Sequence, residues 1–169
     1  MIIRREIPEE FPQIYDLVKA AFQTAQVSNG KEQDFVNQLR CGGSYIPELA
    51  LVAEENGRLI GHVMLTKTYI VNDRNKFEAL LMAPLSVALG YRSQGIGSGL
   101  IREGFRVAGE LGYTAVLLVG NPEYYHRFGF KTASGFGLKH TQNIPDQYVM
   151  ACELVPGAFK SVRGIMGCC

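Results

Sequence analysis

The sequence predicts one mixed domain of the α/β (α+β) class, built around a single central sheet. Three observations predict it. Residues 115–119, Ala-Val-Leu-Leu-Val, form a continuous apolar run, the mark of a strand buried on both faces. Ahead of them Ile96, Leu100, Ile101, Val107, Ala108 and Leu111 recur at helical spacing, so strand, helix and buried strand read as a right-handed parallel crossover. Upstream, Asn56-Gly57 separates two strand-like runs and marks an antiparallel hairpin.

Taken in order, Ile2 to Arg5 reads as a short strand. Pro8 opens a helical pattern in which Phe11, Ile14, Leu17, Val18, Ala21 and Phe22 share a face. After the polar break Ser28-Asn29-Gly30, a second short helix carries Phe35, Val36 and Leu39, and Gly42-Gly43 ends it. Leu49 to Glu54 and Arg58 to Val71 are the hairpin strands. Asn72 to Asn75 marks the next turn, and Phe77 to Val87 is a long third strand of the meander. The Gly95–Gly112 helix and the buried strand follow, then a short helix near Glu123 to Arg127 and further strands, including Tyr148 to Leu154.

Composition narrows the class. The chain has 169 residues, 47% hydrophobic and 20% charged, which suits a single folded domain rather than a disordered segment. Seventeen basic residues stand against sixteen acidic ones, a formal charge of +1, so no basic excess points to nucleic acid. No apolar run approaches the roughly 20 residues that cross a bilayer. The first residues, Met1 to Glu6, lack the long apolar segment of a secretory leader, and a cytoplasmic location is expected. Cys41, Cys152, Cys168 and Cys169 form no Cys-x-x-Cys pattern, and His62, His126 and His140 form no His-x-x-x-His pair. Reduced thiols and no metal site are expected.

The chemistry concentrates at the junction Arg92-Ser93-Gln94-Gly95-Ile96-Gly97-Ser98-Gly99, between a buried strand and a helix. Glycines there admit a ligand close to the backbone, and the first-turn N–H groups of a helix have no partner within it. With the helix dipole they make an anion site suited to a phosphate or pyrophosphate, beside the charge of Arg92. Gly95 and Gly97 are assigned to the phosphate; Gly99, Gly104 and Gly109 are expected to pack the helix closely on the sheet. A dinucleotide fingerprint fails because its third glycine is Leu100 and the next strand ends at Val119-Gly120-Asn121 without an acid. An ATP loop fails because no Gly-Lys-Ser/Thr follows. Pro84 interrupts the strand before the loop, and a bulge there would splay it from the Ala115–Val119 strand, opening a slot for an extended amide-containing arm.

Arg92 to Gly97 resembles the Gln/Arg-x-x-Gly-x-Gly/Ala acyl-CoA loop of the GNAT N-acetyltransferase superfamily. Gly120-Asn121-Pro122-Glu123-Tyr124-Tyr125-His126-Arg127-Phe128-Gly129-Phe130 resembles its Tyr-x-x-x-Gly-Phe ending, in the form shared by the bacterial YhbS-like group. The resemblance covers about residues 1–155, with 156–169 expected as a strand or tail of the same domain, at an edge and a subunit contact. It implies a mixed sheet of about six to seven strands, helices on both faces, and a splayed strand pair holding acyl-CoA.

The resemblance also implies roles. Leu85 and Val87 would pair with the pantetheine arm, and an N–H near Leu85 or Ser86 would polarise the thioester carbonyl. Amides of Arg92, Ser93, Gln94, Gly95, Ile96, Gly97 and Ser98 would wrap the pyrophosphate. Tyr125 would protonate the departing CoA thiolate, and Phe128 would line the cofactor. Asn121 is a cofactor-side candidate, although many relatives place an asparagine farther upstream of the tyrosine. The implied reaction is direct acetyl transfer from acetyl-CoA to a primary amine, on a small molecule or a peptide, with no metal and no acyl-enzyme. A homodimer stays open, because dimers are common among such relatives. The alternative is a non-catalytic acyl-CoA-binding sensor or assembly subunit. Glu54, His62, Glu78, Glu123 and His126 are general-base candidates by residue type, none by spacing, and water could carry the proton instead.

Overall fold

A computed structural model describes residues 1–25 and 28–167. Cys168 and Cys169, and two residues of the loop after the first helix, lie outside the described residues. The chain divides into two compact units, one of residues 1–66 and 83–107, the other of residues 67–82 and 108–169. Among the described residues the chain forms nine strands and four α-helices, a mixed α/β fold as expected.

In the first unit, strand β1 (Ile2–Arg5) pairs antiparallel with β2 (Ala50–Glu55), with Ile3 opposite Ala53, and β2 pairs antiparallel with β3 (Arg58–Val71). Asn56 and Gly57 both have positive φ, 51° and 77°, as the two-residue hairpin turn requires. Helix α1 (Phe11–Phe22) starts three residues later than Pro8 suggests. An α-helix begun at Pro8 would need an N–H from Pro12 to reach the Pro8 carbonyl, and proline has none. Pro8–Glu10 therefore form a 3₁₀ turn, closed by the Phe11 N–H on the Pro8 carbonyl. Helix α2 (Glu32–Cys41) ends where expected, with the Gly42 N–H bonded to the Leu39 carbonyl at 3.2 Å. Ile14 and Val18 of α1 and Val36 of α2 bury against Ala50, Val52 and Met64 of the sheet.

Strand β4 (Lys76–Val87) continues through Pro84, whose preceding peptide bond is cis. At the turn Asn72 opposes Asn75, while at the far end the Ala88 N–H bonds to the Ile60 carbonyl at 2.8 Å. Between those two bonds β4 runs one residue more than β3, which is the count of a β-bulge. Helix α3 (Ile96–Glu110) follows the Arg92–Gly95 loop. Its first three turns belong to the first unit, and its seat on β1 and β3 is glycine-lined. A Cβ on Gly61 of β3 would stand 2.9 Å from Leu100 Cδ1 and 3.0 Å from Ile96 Cγ2; one on Gly99 would stand 3.0 Å from Ile3 Cδ1, and one on Gly104 3.1 Å from Leu65 Cδ1. Gly99 and Gly104 thus serve the close packing expected of them. Gly109 does not, having nothing within 4 Å of its Cβ position.

In the second unit, β4 pairs parallel with β5 (Ala115–Val119) at Leu80↔Val116 and Leu81↔Leu117. β5 pairs antiparallel with β8 (Val149–Glu153), which also pairs with β6 (Lys131–Thr132). The short helix α4 (Pro122–Tyr125) runs on into a 3₁₀ turn, His126–Phe128. Strand β9 (Gly164–Met166) corrects the expected edge strand. It lies between β3, at Ile70 and Val71, and β7 (Leu138–Lys139), so it is paired on both sides. Ile70, Ala79, Leu117, Ala151 and Phe159 centre this unit's core. Leu111 leaves the α3 stripe and is 43% exposed, because the helix has already ended at Glu110.

The seat of α3 makes a stability prediction. Gly61→Val should push Ile96 and Leu100 off β3 and cost about 1–3 kcal/mol, as overpacking does. Urea unfolding of the variant should show a lowered midpoint with an unchanged slope.

Candidate active site

The first unit holds the loop. Arg92, Ser93, Gln94 and Gly95 are exposed, and Ile96 buries as the first residue of α3. Gly95 has φ 81° and nothing within 4 Å of its Cβ position, so its requirement is backbone conformation and not crowding. Ser93 also takes a left-handed conformation, φ 62°. Two left-handed residues in this short loop turn the chain sharply into the helix, and the α3 N-terminus follows at once. The unpaired N–H groups of that first turn and the dipole favour an anion there.

Arg92 departs from expectation. Its guanidinium is held at the C-terminal end of α1, donating to the Ala21 carbonyl at 2.6 Å and to Thr24 Oγ1 at 3.2 Å. Carbonyls at a helix C-terminus attract a cation, and the loop is thereby tied to α1. Gln94 reaches back to the Gly90 carbonyl at 3.4 Å. On β4, Leu85 and Val87 are half-buried and Ser86 is 2% exposed. The Ser86 hydroxyl has no hydrogen-bond partner among the described residues.

The first unit also holds a cluster that sequence reasoning missed. Glu6, at the end of β1, accepts from Arg40 Nε and Nη2 of α2, each at 2.8 Å, and from the Tyr45 hydroxyl at 2.8 Å. Its Oε1 also lies 2.8 Å from Nε2 of His62 on β3. Burial alone would raise the Glu6 pKa. The bonds and charges of Arg40 and His62 outweigh it and hold the carboxyl at about 2. Burial pushes the His62 imidazole below its ordinary value, with Glu6 pulling the other way. Burial and the bond to Glu6 both push the Tyr45 phenol up. Only His62 of this cluster was a candidate from sequence. Glu6 sits beside Ile7 and Pro8 in a segment without periodicity, and nothing local marks it.

The other base candidates are less enclosed. Glu54 pairs with Arg4 at 3.1 Å, Glu78 and Glu123 are exposed, and His126 Nδ1 lies 3.1 Å from the Pro122 carbonyl. Among the described residues no group of three or more His, Cys, Asp or Glu is placed to hold a metal ion.

The second unit holds the Tyr125 segment. Asn121 caps α4, its Oδ1 accepting from the Glu123 N–H at 3.0 Å, so its side chain has a structural task. The Tyr125 ring meets Tyr124 edge-on at 4.9 Å and Phe130 at 5.9 Å, and Phe128 packs 5.5 Å from Tyr124. Burial, with Tyr124 adding to it, raises the Tyr125 pKa well above 10 and keeps the phenol protonated. Gly120 explains how this ring finds room, since a Cβ there would stand 2.5 Å from Tyr125 Cε2. Cys152 lies behind Gly129, and burial first, then Glu153, pushes its thiol up to about 11, away from nucleophilic use.

The model of the Acetyltransferase (GNAT) domain family matches residues 3–133. The chain belongs to the GNAT family. It is 32% identical over 167 residues to the "Uncharacterized N-acetyltransferase YhbS" of Escherichia coli K12, covering 98% of this chain and 95% of that one. It is 31% identical over 134 residues to YjhQ of the same organism, covering 79% and 74%. The crystal structure of E. coli YhbS in complex with CoA superimposes with a TM-score of 0.87 at 31% identity, covering 98% of this chain and 87% of that one. A GNAT acetyltransferase of Brucella melitensis in complex with acetyl-CoA gives 0.80 at 28% identity, covering 99% and 95%.

Three outcomes follow from this GNAT fold. Gly95→Val should weaken acetyl-CoA binding at least tenfold by calorimetry while the near-UV spectrum is kept, because the substitution strains the loop and meets no neighbour. Gly120→Ala should displace the Tyr125 ring and lower turnover more than it lowers acetyl-CoA affinity, read by steady-state kinetics beside calorimetry. Glu6 is depressed on folding, so the folded state binds fewer protons than the unfolded chain between about 4.3, the ordinary glutamate value, and about 2. Its contribution is full above that window and lost as pH falls through it. Glu6→Gln should cost about 3–5 kcal/mol at pH 7 by leaving Arg40 buried without its partner, and should flatten the acid limb of stability against pH.

Proposed function

We propose that this GNAT protein transfers an acetyl group from acetyl-CoA to a primary amine by direct attack, in the cytoplasm. The observation that carries the reading is the segment from Arg92 to Ser98: exposed from Arg92 to Gly95, left-handed at Ser93 and Gly95, and running into the first turn of α3. CoA has a pyrophosphate of the charge such a backbone holds. Family membership and the CoA and acetyl-CoA complexes of two relatives support the same ligand.

In this reading the amides of Arg92 to Ser98 hold the pyrophosphate. Arg92 serves the loop by anchoring it to α1 rather than by meeting phosphate. Backbone groups at Leu85 and Val87 take the pantetheine arm. An N–H at Leu85 or Ser86 stabilises the oxyanion as the amine adds, a contribution typically worth 10²–10³-fold per donor. The C–N bond forms, the C–S bond breaks, and Tyr125 gives its proton or hydrogen bond to the departing sulfur. Burial raises a thiol as well as a phenol, so a thiolate released against Tyr125 is shifted in the same direction as its donor. Phe128 lines the cofactor, and Asn121 acts as the cap of α4. The acceptor, a small-molecule or peptide amine, is selected by α1, α2, the loop from Ala25 to Glu32, part of which lies outside the described residues, and the segment from Ser134 to Gln147.

Tyr125→Phe separates a transferase from an acyl-CoA sensor. A thiol-release assay over a panel of primary amines should show turnover in the wild type. The variant should lose about 100-fold or more of it with acetyl-CoA affinity kept. Acetyl-CoA binding without turnover on any amine would favour the sensor.

A further inference from the structure

The His62–Glu6 pair stands next to the strand segment that the proposed function assigns to the thioester. The Ala88 N–H bonds to the Ile60 carbonyl, and two residues inward on either strand stand His62 of β3 and Ser86 of β4. The Ser86 carbonyl lies 3.3 Å from the Cβ position of Gly61, in keeping with that register. Opposite residues of an antiparallel pair present their side chains on the same face. For His62 this face is fixed by β2, where it opposes Val52, a member of the core beneath α1 and α2. His62 is 0% exposed and Ser86 2%. Each has one polar atom without a partner among the described residues, His62 Nδ1 and Ser86 Oγ.

Unpartnered polar atoms are costly in a buried site, and two of them on facing residues call for a shared explanation. The other end of the imidazole supplies it. Glu6 is a carboxylate that already accepts from Arg40 and Tyr45, so its bond with His62 requires the proton on Nε2. The tautomer is thereby fixed, and Nδ1 is left as a bare lone pair. A carboxylate that orients an imidazole in this way also stabilises the imidazolium that forms when the free nitrogen takes a proton.

We propose that His62 Nδ1 is the proton acceptor of acetyl transfer, reached from the Ser86 hydroxyl through one bridging water, with Glu6 as the residue that positions it. The proposal rests on the acetyltransferase reading above. As the C–N bond forms, the amine nitrogen becomes cationic. It passes one proton to Ser86 Oγ, whose own proton moves through that water to His62 Nδ1, and the C–S bond breaks with its electrons leaving on sulfur. His62 returns the proton to solvent after CoA departs. His62 acts through Ser86 and touches neither substrate; burial keeps it neutral at pH 7, the form that can accept. The charged and titratable groups facing it are Glu6, just after β1, Arg40 of α2 and Tyr45 of the loop after α2.

Two measurements test this. Long-range ¹H–¹⁵N NMR of the full chain should show His62 protonated on Nε2 and bare on Nδ1 from pH 6 to 8, with the Nδ1 resonance moved by Ser86→Ala and the Nε2 resonance unmoved. A proton on Nδ1, or an Nδ1 signal indifferent to Ser86→Ala, overturns the proposal. The second measurement is the pH profile of kcat/KM with acetyl-CoA and whichever panel amine the wild type acetylates. It should carry an inflection below about 6.5. His62→Gln should abolish that inflection and Ser86→Ala should lower kcat at least tenfold with KM for acetyl-CoA kept. Unchanged profiles in both variants contradict the relay. Failure of the wild type to bind acetyl-CoA would instead remove the acetyltransferase reading, while the NMR result would still decide whether His62 and Ser86 are coupled.

Discussion

Helix α3 packs on β1 and β3 with side-chain methyls seated directly on glycine, at Gly61, Gly99 and Gly104, and the candidate cofactor loop depends on that seat. Side chains at those points would hold the helix off the strands by roughly the thickness of a methyl group. Its first turn would then move relative to Ser86 and Leu85 on β4, because Ile96 and Leu100 contact the same Gly61 whose neighbour is the Ser86 carbonyl. The helix N-terminus proposed to hold the pyrophosphate and the strand proposed to bind the thioester are therefore set by one packing surface. Arg92 reinforces it from the other side by tying the loop to the last turn of α1.

The second constraint is electrostatic. Glu6, Arg40 and His62 put a carboxylate, a guanidinium and an imidazole out of water, with the half-buried phenol of Tyr45 beside them. Such a cluster contributes little net stability compared with an apolar core of the same volume, since desolvation of the charges offsets much of their attraction. What it provides is definition: Glu6 satisfies donors from three residues at once, fixes one imidazole tautomer and ties β1, α2 and β3 together. It also leaves one nitrogen free, which a purely structural histidine would not need.

Much of this was legible in the sequence because the elements follow simple periodicities. The 58–71 strand, the Asn56-Gly57 turn, the buried 115–119 strand and the glycine-rich entry to α3 each carry a local signal that the fold preserves. The family motif located Tyr125, and Gly120 within the same motif proved to be the space its ring needs. The failures are equally local in origin. Pro8 suggests a helix start, but Pro12 removes the bond that would extend it. Arg92 reads as a charge beside the phosphate site because its loop is adjacent, whereas its guanidinium is bonded to the Ala21 carbonyl, 71 residues earlier, and to the Thr24 hydroxyl. Strands β6, β7 and β9, two or three residues long, have no room to show alternation, and the pairing of β9 with β3 is a long-range contact. Glu6 carries no pattern at all; its role exists only once β1, α2 and β3 are assembled.

The claim on which the rest turns is that the Arg92–Ser98 loop binds the pyrophosphate of acyl-CoA. The most direct test is thermal unfolding of the purified protein with acetyl-CoA, free CoA, NADH and ATP side by side. A ligand at about 100 times its Kd stabilises by roughly 2.7 kcal/mol, a clear rise in Tm. Acetyl-CoA and CoA should raise the Tm, and NADH and ATP should not. A rise with NADH or ATP and none with either CoA species would contradict that claim, and Tyr125 would revert to a core aromatic.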